Sequence, residues 1–221
     1  MTPMRILVTR ELVAATRTAG VPLAALAMLA SGTAFVLVWA PRVPTLTPGN
    51  LYEQARAVQW IVLAAILPWT AVRSSPMDRR DAIALMSPLM PARPSAAIAA
   101  KVLGAFLVQL TVILGGLPAL VLAQQAAAVP LATVFADLSP VLGLALLAAA
   151  ASTGSIILAA DGLRAALWAS VIVLGVLLSA LGWSSNLWTV GALCAVAGMA
   201  ITACLCSIAG GSPDVDGTHG S

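Results

Sequence analysis

The sequence predicts an all-α polytopic membrane protein with six transmembrane helices, both termini cytoplasmic, and an amphipathic helix before the first crossing. Three observations predict it. Of 221 residues, 61% are hydrophobic and 9% charged, and the mean hydropathy is +1.02. That leaves too little polar surface to cover a water-soluble domain. Six apolar runs, 21–40, 57–72, 102–123, 141–160, 165–182 and 189–209, approach or reach the roughly 20 residues that cross about 30 Å of hydrocarbon. Their apolar residues are continuous rather than alternating, which selects helices over barrel strands. Nine basic residues fall on one predicted side, Arg5, Arg10, Arg17, Arg73, Arg79, Arg80, Arg93, Lys101 and Arg164, against Arg42 and Arg56 on the other. This asymmetry sets the orientation.

The chain opens with a segment, 4–18, in which Ile6, Leu7, Val13 and Ala14 oppose Arg5, Arg10, Glu11 and Arg17. Such a pattern lies along the inner headgroups. The charges are spread through it and no small-residue cleavage site follows, so the first span is read as retained. The second and fifth spans are short and predict upright helices. Trp39, Trp60, Trp183 and Trp188 are expected at outer ends and Trp69 and Trp168 at inner ends, an interfacial belt. Pro68 and Pro118 are expected to kink spans two and three.

No Asp, Glu, Lys or Arg is expected in the interior of a span, which argues against a proton relay or ion-coupled carrier. No paired carboxylates, histidine cluster or Ser-His arrangement sits at membrane depth, which argues against a membrane hydrolase or metalloprotease. Polar groups within the spans include Gln109 and Thr111 in span three, Ser152, Thr153 and Ser155 in span four, and Gln59 near the outer edge of span two. These are pathway or packing residues; Gln109 stands out because a deep amide needs a partner helix or a polar cavity. Cys194, Cys204 and Cys206 all lie in span six and read as small packing residues, because His219, the one histidine, is in the tail. The tail, 210–221, reads as disordered.

The stretch that concentrates chemistry is 77–94, followed by Lys101. Asp78 suits a helix N-cap and Asp81 the positive end of its dipole. Ala82, Ile83 and Met86 make an apolar stripe, and Pro88 disfavours helix at Ser87, so the helix is expected to end near Met86. Pro91 and Pro94 stiffen the return. A short charged helix with an apolar edge either lies on the membrane surface or docks into a groove of a soluble partner.

At these residues the sequence resembles the permease subunits of type-two ABC exporters. Asp78, Arg79, Arg80 and Asp81 match that family's charged opening, and Leu85, Ser87, Pro88 and Lys101 match the pattern after it. The family's glutamate and glycine are replaced here by Asp81 and Ala82, and the connection "GWSSNLW" is shorter than the family's re-entrant segment. The resemblance implies that Asp78, Arg79, Arg80, Asp81, Ile83, Met86, Ser87 and Pro88 couple to a separate ATPase, with Asp161 and Arg164 as a second cytoplasmic contact. It implies a second copy of the chain, or a paralogous permease, beside it in a bacterial cytoplasmic (inner) membrane. The chain has no GxxxxGKS or GxxxxGKT phosphate loop. ATP and Mg are therefore expected on the partner, with no cofactor or catalytic residue in this chain and no nucleic-acid partner. Export of a hydrophobic or amphiphilic substrate is the expected activity. The competing readings are a non-transporting scaffold or assembly subunit that binds a cytoplasmic partner through the same loop, and an ion-independent facilitator.

Overall fold

The computed structural model describes residues 5, 8, 9, 12, 13, 19–42, 47–74, 94–159, 161–183 and 186–210. Six long helices account for nearly all of them: α1 (Gly20–Ala34), α2 (Pro48–Ser74), α3 (Pro94–Ala127), α4 (Leu131–Leu158), α5 (Gly162–Trp183) and α6 (Leu187–Gly210). The α1 axis continues through a π turn at Phe35–Trp39 and a 3-10 turn at Ala40–Arg42. Each of the six, the first taken from Gly20 through Arg42, is long and apolar enough to cross a membrane. Of the expected amphipathic helix, only Arg5, Val8, Thr9, Leu12 and Val13 are described, so its extent lies outside the described residues.

The helices outrun the apolar runs that announced them. At 1.5 Å per residue, α2 is about 40 Å long and α3 about 51 Å, against about 30 Å of hydrocarbon. As a result Arg56, Lys101 and Asp137, which lie beyond the ends of the apolar runs in the sequence, fall within the spanning helices. All three stay within about 12 Å of a helix end, and Lys101 and Asp137 are 7% exposed. Hydropathy marks where a helix stops being greasy, whereas the helix itself stops where its backbone hydrogen bonds do.

α4 is the centre of the bundle. It packs against α2, α3, α5 and α6, whereas α1 packs chiefly against α2 and α3. Its sequence explains this: Ala148, Ala149, Ala150, Ala151, Ser152, Thr153 and Gly154 are all buried, and side chains this small let neighbours approach from every direction. The closest approach is to α6. A methyl group added at Gly143 would run into the Gly191 carbonyl, and one added at Gly191 would run into the Pro140 backbone. Two turns further along α6, a Cβ on Gly198 would sit 2.9 Å from the Leu147 amide nitrogen. The α1 and α3 helices cross in the same manner, with Gly115 set against the Ala25 backbone.

Helix continuity survives three prolines, Pro68 in α2, Pro118 in α3 and Pro140 in α4. The α3–α4 connection closes in three residues, Ala128, Val129 and Pro130. Val129 N–H donates to the Gln124 carbonyl and Ala128 N–H to that of Gln125, at 3.2 and 3.4 Å. These are the paired bonds of a Schellman cap. Ala128 occupies the left-handed position at φ 54° that glycine usually fills.

Among the tryptophans whose side chains are described, Trp60 is buried while others face outward. Trp183 and Trp168 are 84% and 61% exposed, as interfacial residues are, but Trp60 is 6% exposed and belongs to the main core with Leu63, Leu67 and Val112. Trp60 shares its helix face with those leucines, so burial rather than depth fixed its place.

Candidate functional site

Polar chemistry in the bundle is organised by one helix. Along α2, Tyr52, Arg56, Gln59, Leu67 and Thr70 recur at spacings of three, four or eight residues, which brings them onto one helical face. Tyr52, Gln59 and Thr70 are buried and Arg56 is partly so. The face looks into the bundle, and α2 is correspondingly the least hydrophobic of the six spans.

At the end of α2 near Pro48, the Asp137 carboxylate of α4 accepts two hydrogen bonds on Oδ2. One comes from the Tyr52 hydroxyl at 2.8 Å and one from Arg56 Nη1 at 2.8 Å. The guanidinium also lies 6.0 Å from the centroid of the Tyr52 ring, within cation–π range. Arg56 Nε and Asn50 Oδ1 are buried without a hydrogen-bond partner. Packed around the cluster are Phe35, Val36, Leu120, Ala123 and Val134 from three other helices. A carboxylate so enclosed is tolerable because Arg56 balances its charge and Oδ2 accepts two hydrogen bonds.

Deeper along the same face, Gln59 Nε2 donates to the Gly116 carbonyl of α3 at 2.6 Å. Gly116 makes room: a Cβ there would lie 3.1 Å from the amide nitrogen. Deeper still, side chains from two other helices converge on α2 backbone beside Pro68. Gln109 Nε2 of α3 approaches the Leu67 carbonyl at 3.4 Å, Ser152 Oγ of α4 approaches that of Pro68 at 3.4 Å, and Thr70 Oγ1 donates to Leu67 O at 2.9 Å. Gln109 is fully buried and its Oε1 has no partner. Past this point, Trp69, Thr70 and Arg73 line a groove of about 370 Å³ between α1 and α2, with Arg73 6.0 Å from the Trp69 ring.

The structure thus separates residues that the sequence grouped. Gln109 and Ser152 meet at the polar centre. Thr153 points its hydroxyl back to Ala149 O at 2.9 Å, and Thr111 is on the outward face of α3 with its hydroxyl on Val108 O. Thr111 therefore lies on the opposite side of α3 from Gln109, because residues two apart on a helix face opposite ways. Asp161 caps α5: its Oδ1 accepts from Arg164 N at 2.7 Å and its Oδ2 pairs with Arg164 Nε at 3.2 Å, with both side chains exposed. An exposed pair of this kind adds little stability beyond the cap itself.

Asp78, Arg79, Arg80, Asp81, Ile83, Met86, Ser87 and Pro88 lie outside the described residues. What is described is how their flanks are held. α2 runs directly to Ser74, where Val72 packs on Ala165 and Ala166 of α5. α3 is fixed from its first turn: the Cys206 thiol of α6 lies 3.5 Å from the Ser95 carbonyl, and Val102 packs on Ala149 and Ala150 of α4. Cys194 is buried in the core and Cys204 exposed, all three cysteines are free, and no group of three metal-ligating side chains occurs among the described residues. Sequence reasoning missed the Tyr52–Arg56–Asp137 cluster; its one linear signal was the spacing of Tyr52, Arg56 and Gln59. Comparison with protein-family models, with curated proteins and with solved structures finds no match.

Proposed function

We propose that the chain is the membrane-spanning permease subunit of an ATP-driven transporter, energised by a separate ATPase that docks on the 77–94 element. The observation that carries this reading is the double role of α2. The helix bearing the buried polar face from Tyr52 to Thr70 is the one that leads directly into the charged, proline-flanked segment. A force applied at 77–94 is delivered at once to that face, and through α3 to α4 and α6, because both flanks are packed rather than loose. Rigid elements of this sort transmit body motions between packed arrangements. In this reading Asp78, Arg79, Arg80 and Asp81 meet the ATPase surface, Ile83 and Met86 fill its groove, and Ser87 and Pro88 end the helix. ATP and Mg belong to the partner. A second copy, or a related permease, completes the pathway in a bacterial cytoplasmic membrane, and an apolar or amphiphilic cargo moves outward.

The test is co-purification from detergent, with and without ATP. A nucleotide-hydrolysing partner is expected to accompany the wild-type chain, and Met86→Asp or Ile83→Asp is expected to lose it while inserting normally. A mutant that retains its partner at full stoichiometry overturns the docking role.

A further inference from the structure

The groove between the first turn of α1 and the last turns of α2 is charged at one end and apolar along the rest. Its α2 wall is a strip formed by Ala65, Ile66, Trp69 and Arg73, and its α1 wall is Gly20 and Leu23. From Ala65 to Arg73 the strip runs about 12 Å along the helix axis. Thr70 also borders it, but its hydroxyl is committed to the Leu67 carbonyl at 2.9 Å. Leu23 is 62% exposed, and Gly20, Ala65 and Arg73 are exposed with it, so the groove is open to the surroundings of the bundle. Beside Gly20 there is free space: a Cβ there would meet nothing within 4 Å.

Arg73 supplies the charge, and no carboxylate occurs among the described residues that line the groove. Its guanidinium lies over the Trp69 ring, 6.0 Å from the centroid, a cation–π contact that holds it against the groove wall. The contact leaves N–H donors at the guanidinium edge, in the fork geometry that matches phosphate oxygens.

We infer that this groove binds an acidic membrane phospholipid, with the lipid phosphate on Arg73 and one acyl chain laid along Ile66 and Leu23. Three features select this occupant. A cation and an apolar wall in one channel call for an amphiphile. A zwitterionic headgroup brings an ammonium for which the lining offers no carboxylate, so the headgroup with net negative charge is favoured. A soluble anion would gain only a single exposed arginine, a weak contact by itself. The groove carries its own polarity, so the orientation of the lipid follows from Arg73 and not from a membrane depth.

The experiment uses the full chain in nanodiscs of mixed phosphatidylglycerol and phosphatidylcholine, with one or the other lipid carrying a diazirine in its acyl chain. After illumination the adducts are mapped by mass spectrometry. Phosphatidylglycerol adducts on Leu23 and Ile66 are expected to exceed those of phosphatidylcholine by about fivefold, which is about 1 kcal/mol for one basic side chain. That preference should shrink as salt rises from about 0.1 M to about 1 M. Arg73→Gln is expected to bring phosphatidylglycerol down to the phosphatidylcholine level, and Arg73→Lys to keep most of the preference. Gly20→Leu, which fills the open space, should lower capture of both lipids at Ile66. If Arg73→Gln fails to insert, the salt series on the wild-type chain and Gly20→Leu decide. Equal capture of the two lipids, or a preference that survives Arg73→Gln, overturns the assignment. So does labelling of Leu23 and Ile66 no heavier than that of Leu178, an exposed residue of α5. Displacement of the lipid by inorganic phosphate at constant ionic strength also overturns it, since the site would then be one for a free anion.

Discussion

Replacing Asp137 tests the cluster at the Pro48 end of α2. Asp137→Ala removes the acceptor of two hydrogen bonds, each 2.8 Å long, and leaves the Arg56 guanidinium and the Tyr52 hydroxyl facing a cavity. Removing one partner of a fully buried ion pair costs about 3–5 kcal/mol. Here the Asp137 side chain is 8% exposed but that of Arg56 is 25% exposed, so the guanidinium can recover part of its hydration by reaching toward the headgroups. The expected loss is therefore about 2–3 kcal/mol, below the fully buried range. Tyr52→Phe, which leaves the ion pair intact, should cost about 0.5–1.5 kcal/mol. The pair Asp137→Leu with Arg56→Met should recover most of the loss, because an apolar replacement of a whole ion pair is often neutral. The assay is reversible unfolding in mixed micelles or a bilayer, run as a double-mutant cycle. The reasoning fails if Asp137→Ala costs as much in the Arg56→Met background as in the wild-type chain, since the two sites would then be uncoupled.

Three further outcomes are expected. Gly143→Ala should destabilise the bundle by about 1–3 kcal/mol or more, because the new methyl meets the Gly191 carbonyl and backbone cannot step aside as a side chain can; thermal unfolding of the purified chain measures it. Ala128→Gly should stabilise by about 0.5–1 kcal/mol by relieving the left-handed backbone at φ 54°, read in the same unfolding assay. Gln109→Leu should leave stability within about 1 kcal/mol of wild type, since it deletes one long bond and one orphaned acceptor together. In a cargo-export assay with the ATPase present it should nonetheless alter the rate; unchanged export would leave Gln109 as packing alone.

The six helices were legible because continuous apolar runs have few alternatives at this length. Their ends were not, because Tyr52, Arg56 and Asp137 look like exterior residues until tertiary pairing takes them inside. Tyr52 and Asp137 are 85 residues apart, and nothing local to either sequence announces the other. Gln109 was legible as an amide without water, and the structure gives it the α2 backbone as its neighbour. The outward turn of Thr111 was not legible, because depth alone does not say which way a side chain turns. The inward turn of Trp60 was not legible for the same reason: the face of α2 that it shares with Leu63 and Leu67 carries it into the core. The crossing of α4 and α6 through Gly143 and Gly191 could not be read from either helix separately, since glycine is common in membrane helices for several reasons.

The alanine-rich middle of α4 fixes what can move. With backbone pressed against backbone on the α6 side and small side chains meeting α2, α3 and α5, this helix has no slack to rotate or slide alone. It acts as an axle. The helix held mainly by α2 and α3, α1, is packed chiefly at the rim of that arrangement rather than on the axle.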